Sequence, residues 1–483
     1  MAIAAARIRY QQLHRPLPRH LSSLTSPPIT VPDKELSDSP SGSGSGSAPD
    51  TERLFSSVRT GSLVSSLGNL YLMGFDPLVD TATAVMRSRA VMGSRVGREV
   101  VNRAVRATVY KHFCAGETVE EVGQAVRELW GRGMRGILDY GMEDADDGVS
   151  CDRNLAGFQR AVQMASQLPP TSASVCIKIT ALCPISLLEK MSDLLRWNEK
   201  DPSFDLPWKA NSFPILSSSS PLYLTPSMPE PLTDAEEHEL GLAHQRLTQL
   251  CKQCAEANLM LLVDAEYASV QPAIDYFTYL AALQFNREQP LVYGTLQAYL
   301  RDAKERLVKM VQAAEMEGMS IGIKLVRGAY LTRETQLASS LGVPSPIHRS
   351  IQETHSCYND CASFLLEKVR QGSGAVVLAT HNVKSGQIAA AKAEELGIAK
   401  EDQKLQFAQL KGMADGLSLG LSNAGFQVNK YLPFGPVDQV IPYLLRRAEE
   451  NRGFLSTSAT DRQLISKELM RRLKTAVLGR ILL

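Results

Sequence analysis

Eight short runs rich in Val, Ile and Leu recur along the chain, each followed by a helical pattern. They are GILDY at 136–140, VCIKITAL at 175–182, LMLLVDAE at 259–266, PLVYGTLQ at 290–297, IGIKLVRG at 321–328, AVVLATHN at 375–382, KLQFAQLK at 404–411 and QVNKYLPF at 427–434. Such near-continuous apolarity belongs to strands covered on both faces, as in parallel sheets. The helical stretches between them, at 154–168, 233–258, 271–286, 296–318, 350–370, 385–396 and 437–455, supply the crossovers that parallel strands require. Runs beginning at 259, 290 and 321 keep a step of about 31 residues, close to one βα unit. The pattern predicts an α/β fold, an eight-stranded parallel β/α barrel of the TIM type with a helical N-terminal extension. An open doubly wound sheet for a dinucleotide needs a Gly-rich first turn, and no G-x-G-x-x-G follows any of the runs.

The flanks divide by composition. Residues 1–32 hold Arg7, Arg9, Arg15 and Arg19 with no acidic residue before Asp33, which is the composition of an organelle import presequence. The stretch SGSGSGS at 41–47 reads as a flexible linker, so 1–50 is taken as presequence and linker. Residues 51–134 look helical in several pieces, most clearly at 100–112 and 119–130. The barrel is expected at 135–456, with an aperiodic insertion at 198–232 that loops out or is partly disordered, and a polar Ser- and Gly-rich loop at 331–347 able to close over a site. Residues 457–483 alternate Lys467, Arg471, Arg472, Lys474 and Arg480 with Leu464, Ile465, Leu469, Leu473, Val477 and Leu478 at helical spacing. This basic amphipathic tail either lies on an anionic membrane surface or packs back on the barrel.

Bulk composition removes several function classes. With 52 basic against 51 acidic residues the net charge is +1, and no global field favours nucleic acid. Eight cysteines are too sparse for a disulfide framework, and the C-x-x-C pair Cys251 and Cys254 lacks further ligands, so no metal is expected. No apolar stretch is long enough to span a bilayer, which leaves membrane contact peripheral.

The chemistry concentrates at the ends of the runs, where a barrel gathers its substrate-facing side chains. Asp139, Lys178, Asp264 with Glu266, Gln297, Lys324 with Arg327, Thr380 with His381 and Asn382, Gln409 and Tyr431 all stand there. Lys178 and Lys324 are flanked by apolar residues and need a carboxylate partner, for which Asp264 is the evident choice. In VDQVIPYLLRRAEEN, Tyr443 and Glu450 stand three or four residues either side of Arg446 and Arg447, so all four share one side of a helix that starts just after Tyr431. Paired guanidiniums can clamp a carboxylate in bidentate fashion.

The runs KYLPFGPVDQVIPYLLRRAEEN, IKLVRGAYLTRE, LLVDAE, LATHN and FAQLKGM resemble the proline dehydrogenase family from about residue 135 to 455, and the insertion is most similar to its plant-like branch. The resemblance implies a distorted barrel with non-covalent FAD across its mouth and oxidation of L-proline to Δ1-pyrroline-5-carboxylate. It also implies electron transfer to ubiquinone at the matrix side of the inner mitochondrial membrane, with hand-over of product to pyrroline-5-carboxylate dehydrogenase. It places Lys178 and Asp264 in catalysis, and Leu410, Tyr431, Tyr443, Arg446 and Arg447 around proline. Asp264, Gln297, Lys324, Val326, Gly328, Ala329, Tyr330, Thr380, His381, Asn382, Gln409 and Glu450 fall on the flavin side. Lys324 and Leu331 stand where bacterial members carry arginine and tryptophan, and Gln409 is offset by one from their pattern. A Schiff-base lyase on the same barrel, with a strand-end lysine as nucleophile, and a non-catalytic mitochondrial homologue are the rival readings.

Overall fold

The computed structural model describes residues 51–481 apart from Phe75, Leu222, Tyr223, Glu288 and Phe454, so the presequence and linker lie outside the described residues. The strands are β1 Arg135–Tyr140, β2 Ala173–Ile177, β3 Leu261–Val263, β4 Val292–Gln297, β5 Ile321–Val326, β6 Gly374–Ala379, β7 Leu405–Leu410 and β8 Val428–Phe434. Each overlaps one of the eight apolar runs, with β1, β2 and β6 starting one or two residues ahead of theirs. They pair in chain order, all parallel, and β8 closes on β1. A closed ladder leaves no edge, which satisfies every strand's hydrogen bonds without a flanking partner.

Helices cover the outside, and the larger core lies between them and the strands, where Leu138, Val175, Leu261, Leu296, Ile323, Leu378, Phe407 and Leu432 are buried. The inside is a smaller cluster of Ile137, Cys176, Leu262, Tyr293, Ala375, Val377, Ala408 and Tyr431. Local sequence sets the helix starts. Thr233 and Glu236 form a capping box for Asp234–Glu256, and Asn382 accepts from the Ser385 N–H at the start of Val383–Glu395. At Gly322 an added Cβ would lie 2.7 Å from the Tyr293 ring, so glycine on β5 makes room for an aromatic inside the barrel.

Several expectations change. The proposed loop at 331–347 begins as a helix, Leu331–Leu341, ended by Gly342 in the left-handed region at φ 65°. Helices Ile185–Lys200 and Asp415–Asn423 were not anticipated. The insertion does not loop out. Leu206, Phe213 and Leu224 are buried, Trp208 meets Tyr276 edge-on at 5.7 Å, and the Ala210 N–H donates to Tyr276 at 2.9 Å. Ser218 and Ser219 donate to Glu305 and Ser220 to Asp302, which anchors the segment on the helix Ala303–Met316.

Ahead of the barrel come Thr60–Met73, Asp76–Arg87, Arg95–Val105, which runs on through a π turn, and Val119–Trp130. The chain's last helix, Leu455–Ile481, packs along Thr60–Met73. Ile465 is buried there, and Arg472 donates to the carbonyls of Phe55 at 2.8 Å and Val58 at 2.9 Å. The described part of the tail therefore docks on the protein, with Met470, Leu473 and Val477 left exposed.

Asp461 on this helix accepts from the Asp415 and Gly416 N–H groups at 3.1 and 3.2 Å, and burial pushes its carboxyl up to about 6. The folded state thus holds that proton more tightly than the unfolded chain, so Asp461 lowers stability as pH rises from about 4 to about 6. Asp461→Asn should gain on the parent protein across that window, by about 1–3 kcal/mol at pH 7, in urea denaturation at stepped pH. A difference independent of pH contradicts the account.

Candidate active site

The C-terminal end of the barrel holds a buried set of charges. Asp264, directly after β3, is its centre. The Lys324 ammonium from β5 donates to Asp264 Oδ1, the Cys176 thiol from β2 donates to the same oxygen at 3.1 Å, and Tyr431 from β8 donates to Oδ2 at 2.6 Å. Lys178, just past β2, has Asp139 Oδ1 at 2.7 Å and Asp264 Oδ2 at 3.5 Å. Its nearer partner is thus Asp139 from β1, and Asp264 belongs first to Lys324. Two lysines and two aspartates balance in formal charge, which is what makes their burial tolerable.

Burial alone would discharge both lysines, but the facing carboxylates outweigh it. Asp139 and Asp264 hold Lys178 well above its ordinary range, and Asp264 raises Lys324. Although burial opposes ionisation of Asp264 too, Lys324 and Lys178 keep its carboxyl below the usual range. Lys178 is a fixed cation here and not a base with a proton to gain.

A second cluster joins the helix Val437–Gly453 to the loop after β1. Arg446 is held in bidentate fashion by Glu143, at 2.7 and 2.9 Å, and its guanidinium lies 5.4 Å from the centre of the Tyr330 ring. Glu143 was not singled out in the sequence; the acidic run GMEDADD that carries it reads as a polar loop until the distant arginine is brought to it. Arg447, 5% exposed, lies 5.0 Å from the centre of the Tyr443 ring, and Tyr443 packs with Leu410. Leu410 also packs against the interior cluster that contains Tyr431, so it links the Tyr431 and Tyr443 sides of the strand ends.

The rim of β4, β5 and β6 is rich in donors. Gln297 donates to the Glu266 carbonyl at 2.8 Å, and Glu266, itself buried, accepts from Thr180. Arg327 is locked by His355 at 3.0 Å, Thr380 at 2.6 Å and Ser385 at 2.7 Å, and stacks on Tyr358. The Asn382 N–H donates to Thr380 Oγ1. Burial, reinforced by Arg447, Lys430 and Arg327, pushes His381 down to about 3, and its neutral Nε2 accepts from the Leu410 N–H at 3.1 Å. Val326, Gly328, Ala329 and Tyr330 line the end of β5, all half-buried. Gly328 has φ 133°, and a Cβ there would lie 2.5 Å from the Tyr299 ring, so the close neighbour that requires glycine is Tyr299.

Gln409 stands apart from these groups. Gln409 alternates with Ala408 and Leu410 on β7 and so faces away from the interior, where Ser418 donates to its Oε1 at 2.9 Å. Glu450 lies on Val437–Gly453, but its side chain is outside the described residues. Among the described residues no His, Cys, Asp and Glu grouping suits a metal ion, and all eight cysteines are free.

Removing one carboxylate from the buried set leaves two ammoniums for one partner. Asp264→Asn should cost about 3–5 kcal/mol in denaturant unfolding, and adding Lys324→Met should recover part of that loss. Strictly additive effects of the two changes are inconsistent with the coupling described.

A sequence model described as proline dehydrogenase matches residues 122–460. Proline dehydrogenase 1, mitochondrial, of Arabidopsis thaliana is 54% identical over 429 residues, covering 88% of this chain and 86% of its own. Proline dehydrogenase 2, mitochondrial, of the same plant is 51% identical over 456 residues, covering 93% and 96%. Among solved structures, proline utilization A from Bdellovibrio bacteriovorus, inactivated by N-propargylglycine, superposes with a TM-score of 0.61 at 20% identity over 86% of this chain. The chain spans only 43% of that protein, and at this identity the likeness concerns the fold. On the family match and the two plant relatives together, this chain belongs to the proline dehydrogenase family.

Proposed function

We propose that this chain oxidises L-proline to Δ1-pyrroline-5-carboxylate. The observation that carries the reading is the pair Arg446 and Arg447 on the helix that follows β8, with Glu143 holding Arg446 and with Tyr431, Asp264 and Lys178 joined at the strand ends. A small ring with one carboxylate suits that set of groups. The arginines take the carboxylate, while Tyr431, Tyr443 and Leu410 bound the ring and exclude water from it. Glu143 uses two of the five N–H donors of Arg446 and leaves the others for substrate, so it orients the guanidinium before proline arrives.

The reaction needs a two-electron acceptor, and the residues present fit FAD. Gln297, Lys324, Arg327, Thr380 and Asn382 form a donor-rich rim suited to carbonyl oxygens and phosphates, with Val326, Gly328 and Ala329 beside them. Bound FAD supplies the acceptor for the hydride of the ring C–N oxidation. Lys178, kept protonated by Asp139 and Asp264, does not take the proton of the substrate amine; it stabilises the carboxylate side of the site, and that proton passes to bulk solvent before the ring is enclosed. Gln409, turned outward, takes no part. The adjacent acidic partners also argue against a Schiff-base lyase, whose lysine must lose its proton.

The relatives named mitochondrial and the arginine-rich N-terminal composition support a mitochondrial site of action. Ubiquinone as electron acceptor, peripheral attachment to the matrix side of the inner membrane and hand-over to pyrroline-5-carboxylate dehydrogenase complete the reading. Among the described residues no helix is long and apolar enough to cross a membrane.

The deciding experiment is the visible spectrum of the purified protein before and after L-proline under anaerobic conditions. Flavin bands that bleach support cofactor and substrate together, whereas a colourless protein or an inert flavin overturns the reading. Arg446→Met should raise the proline KM about 10–100-fold, because a charge-assisted hydrogen bond is worth roughly 1.5–3 kcal/mol. Glu143→Gln should raise it by a smaller factor, and an unchanged KM in both variants removes the clamp.

A further inference from the structure

Of the eight cysteines, all among the described residues, seven are buried. Burial pushes up the thiols of Cys114, Cys151, Cys176, Cys183, Cys251 and Cys254, so the C-x-x-C pair at 251 and 254 is inert in spite of its spacing. Cys357 is the exception. It is partly exposed on the helix Ile351–Gln371, and Cys361 follows it one turn later on the same face.

The surroundings favour the thiolate. Cys361 donates to Cys357 and His348 stands beside it, and together they bring its thiol down to about 6 against the effect of burial. His348 Nδ1 lies 3.8 Å from a carboxylate oxygen of Glu353, while its Nε2 has no hydrogen-bond partner among the described residues, so a ring nitrogen is available to the thiol. The other charges nearby are Asp360 on the same helix and Lys304 on Ala303–Met316, which pair at 3.0 Å and offset one another. A partly exposed thiol held as its anion, with a second thiol one turn away, is the arrangement of a redox-sensitive cysteine.

The helix that carries the pair also holds the cofactor side of the barrel mouth. His355 Nδ1 accepts from Arg327 at 3.0 Å, its Nε2 lies 3.4 Å from Asn382 Nδ2, and the Arg327 guanidinium stacks 4.3 Å from the centre of the Tyr358 ring. Tyr358 stands between the two cysteines in sequence. Side chains one helical turn apart have Cβ atoms about 5–6 Å from each other, whereas a disulfide needs about 3.5–4.5 Å, so the bond closes only if the turn holding Tyr358 gives way.

We propose that Cys357 is an oxidation site through which a hydroperoxide loosens the protein's hold on its flavin. The Cys357 sulfur attacks the peroxide: an S–O bond forms, the O–O bond breaks, sulfur loses two electrons, and the departing hydroxide takes up the proton given by the thiol and leaves as water. Cys361 then attacks the sulfenic acid, so that an S–S bond forms, the S–O bond breaks and a second water leaves with the Cys361 proton. The distorted turn withdraws Tyr358 and His355 from Arg327. The modification stands on the cysteines alone, while its effect rests on the reading of this rim as the flavin side.

The test treats the full-length, flavin-loaded protein with hydrogen peroxide and maps every cysteine by alkylation and mass spectrometry. Cys357 should react about 10-fold or more faster than the six cysteines outside the pair and end as a Cys357–Cys361 disulfide. The flavin Kd should then rise about 10-fold, the worth of one charge-assisted hydrogen bond, and return on adding dithiothreitol. Cys361→Ser should stop at the sulfenic acid, trapped by dimedone, and keep the parent Kd. Oxidation spread evenly over the cysteines overturns the site even if Cys361→Ser fails to fold, and a disulfide that leaves the flavin Kd unchanged overturns its effect. A protein that takes up no flavin overturns instead the reading of the barrel, while the peptide map still judges Cys357.

Discussion

Asp264 ties the barrel's chemistry to its architecture. One carboxylate after β3 is met by groups from β2, β5 and β8, so strands far apart in sequence are fixed in register by the same two oxygens. A closed eight-stranded barrel fills its interior with side chains, and an unpaired charge there would be prohibitive. Pairing Lys324 and Lys178 with Asp264 and Asp139 turns two prohibitive charges into a rigid, neutral floor. Because the lysines are locked as cations, the floor presents a fixed electrostatic field whatever the pH near neutrality, and Tyr431 takes the other oxygen of Asp264.

The roof depends on that floor and on a second long-range pair. Glu143 and Arg446 fasten the last barrel helix to the loop after β1, so the helix carrying both arginines is placed by the barrel at two points: its start, straight out of β8, and this ion pair. The helical lead-in adds a third. Tyr110 donates to the Gly435 carbonyl at 2.7 Å, within the turn that launches that helix, and Ala115 donates to Pro433. The N-terminal region is thereby part of the support of the site.

The strands were legible because their signal is local: eight apolar runs, each long enough for one buried strand. The polar strand ends were legible for the same reason. What stayed hidden was partnership. Nothing near Lys178 says that Asp139 is closer to it than Asp264, and nothing near Glu143 points to an arginine 303 residues away. Gln409 shows the cost of a single-residue offset, since period-two alternation sends it to the outer face while Ala408 and Leu410 face in. The helix Leu331–Leu341 escaped notice because only Glu334 and Ala338 on it are buried, four residues apart in a Ser-rich stretch. The insertion was misjudged because its contacts are isolated aromatic and serine anchors without any period.

The docking of the last helix on the first ones bears on the order of events during folding. Arg472 bonds the carbonyl of Phe55 across 417 residues, and Arg471 pairs with Glu52 at 3.0 Å. The helical lead-in, made before the barrel, therefore cannot reach its final seat until nearly the whole chain has followed. Until then its apolar residues Phe55 and Leu63 lack the surface that buries them, so the lead-in remains an open, threadable end for most of the protein's early life.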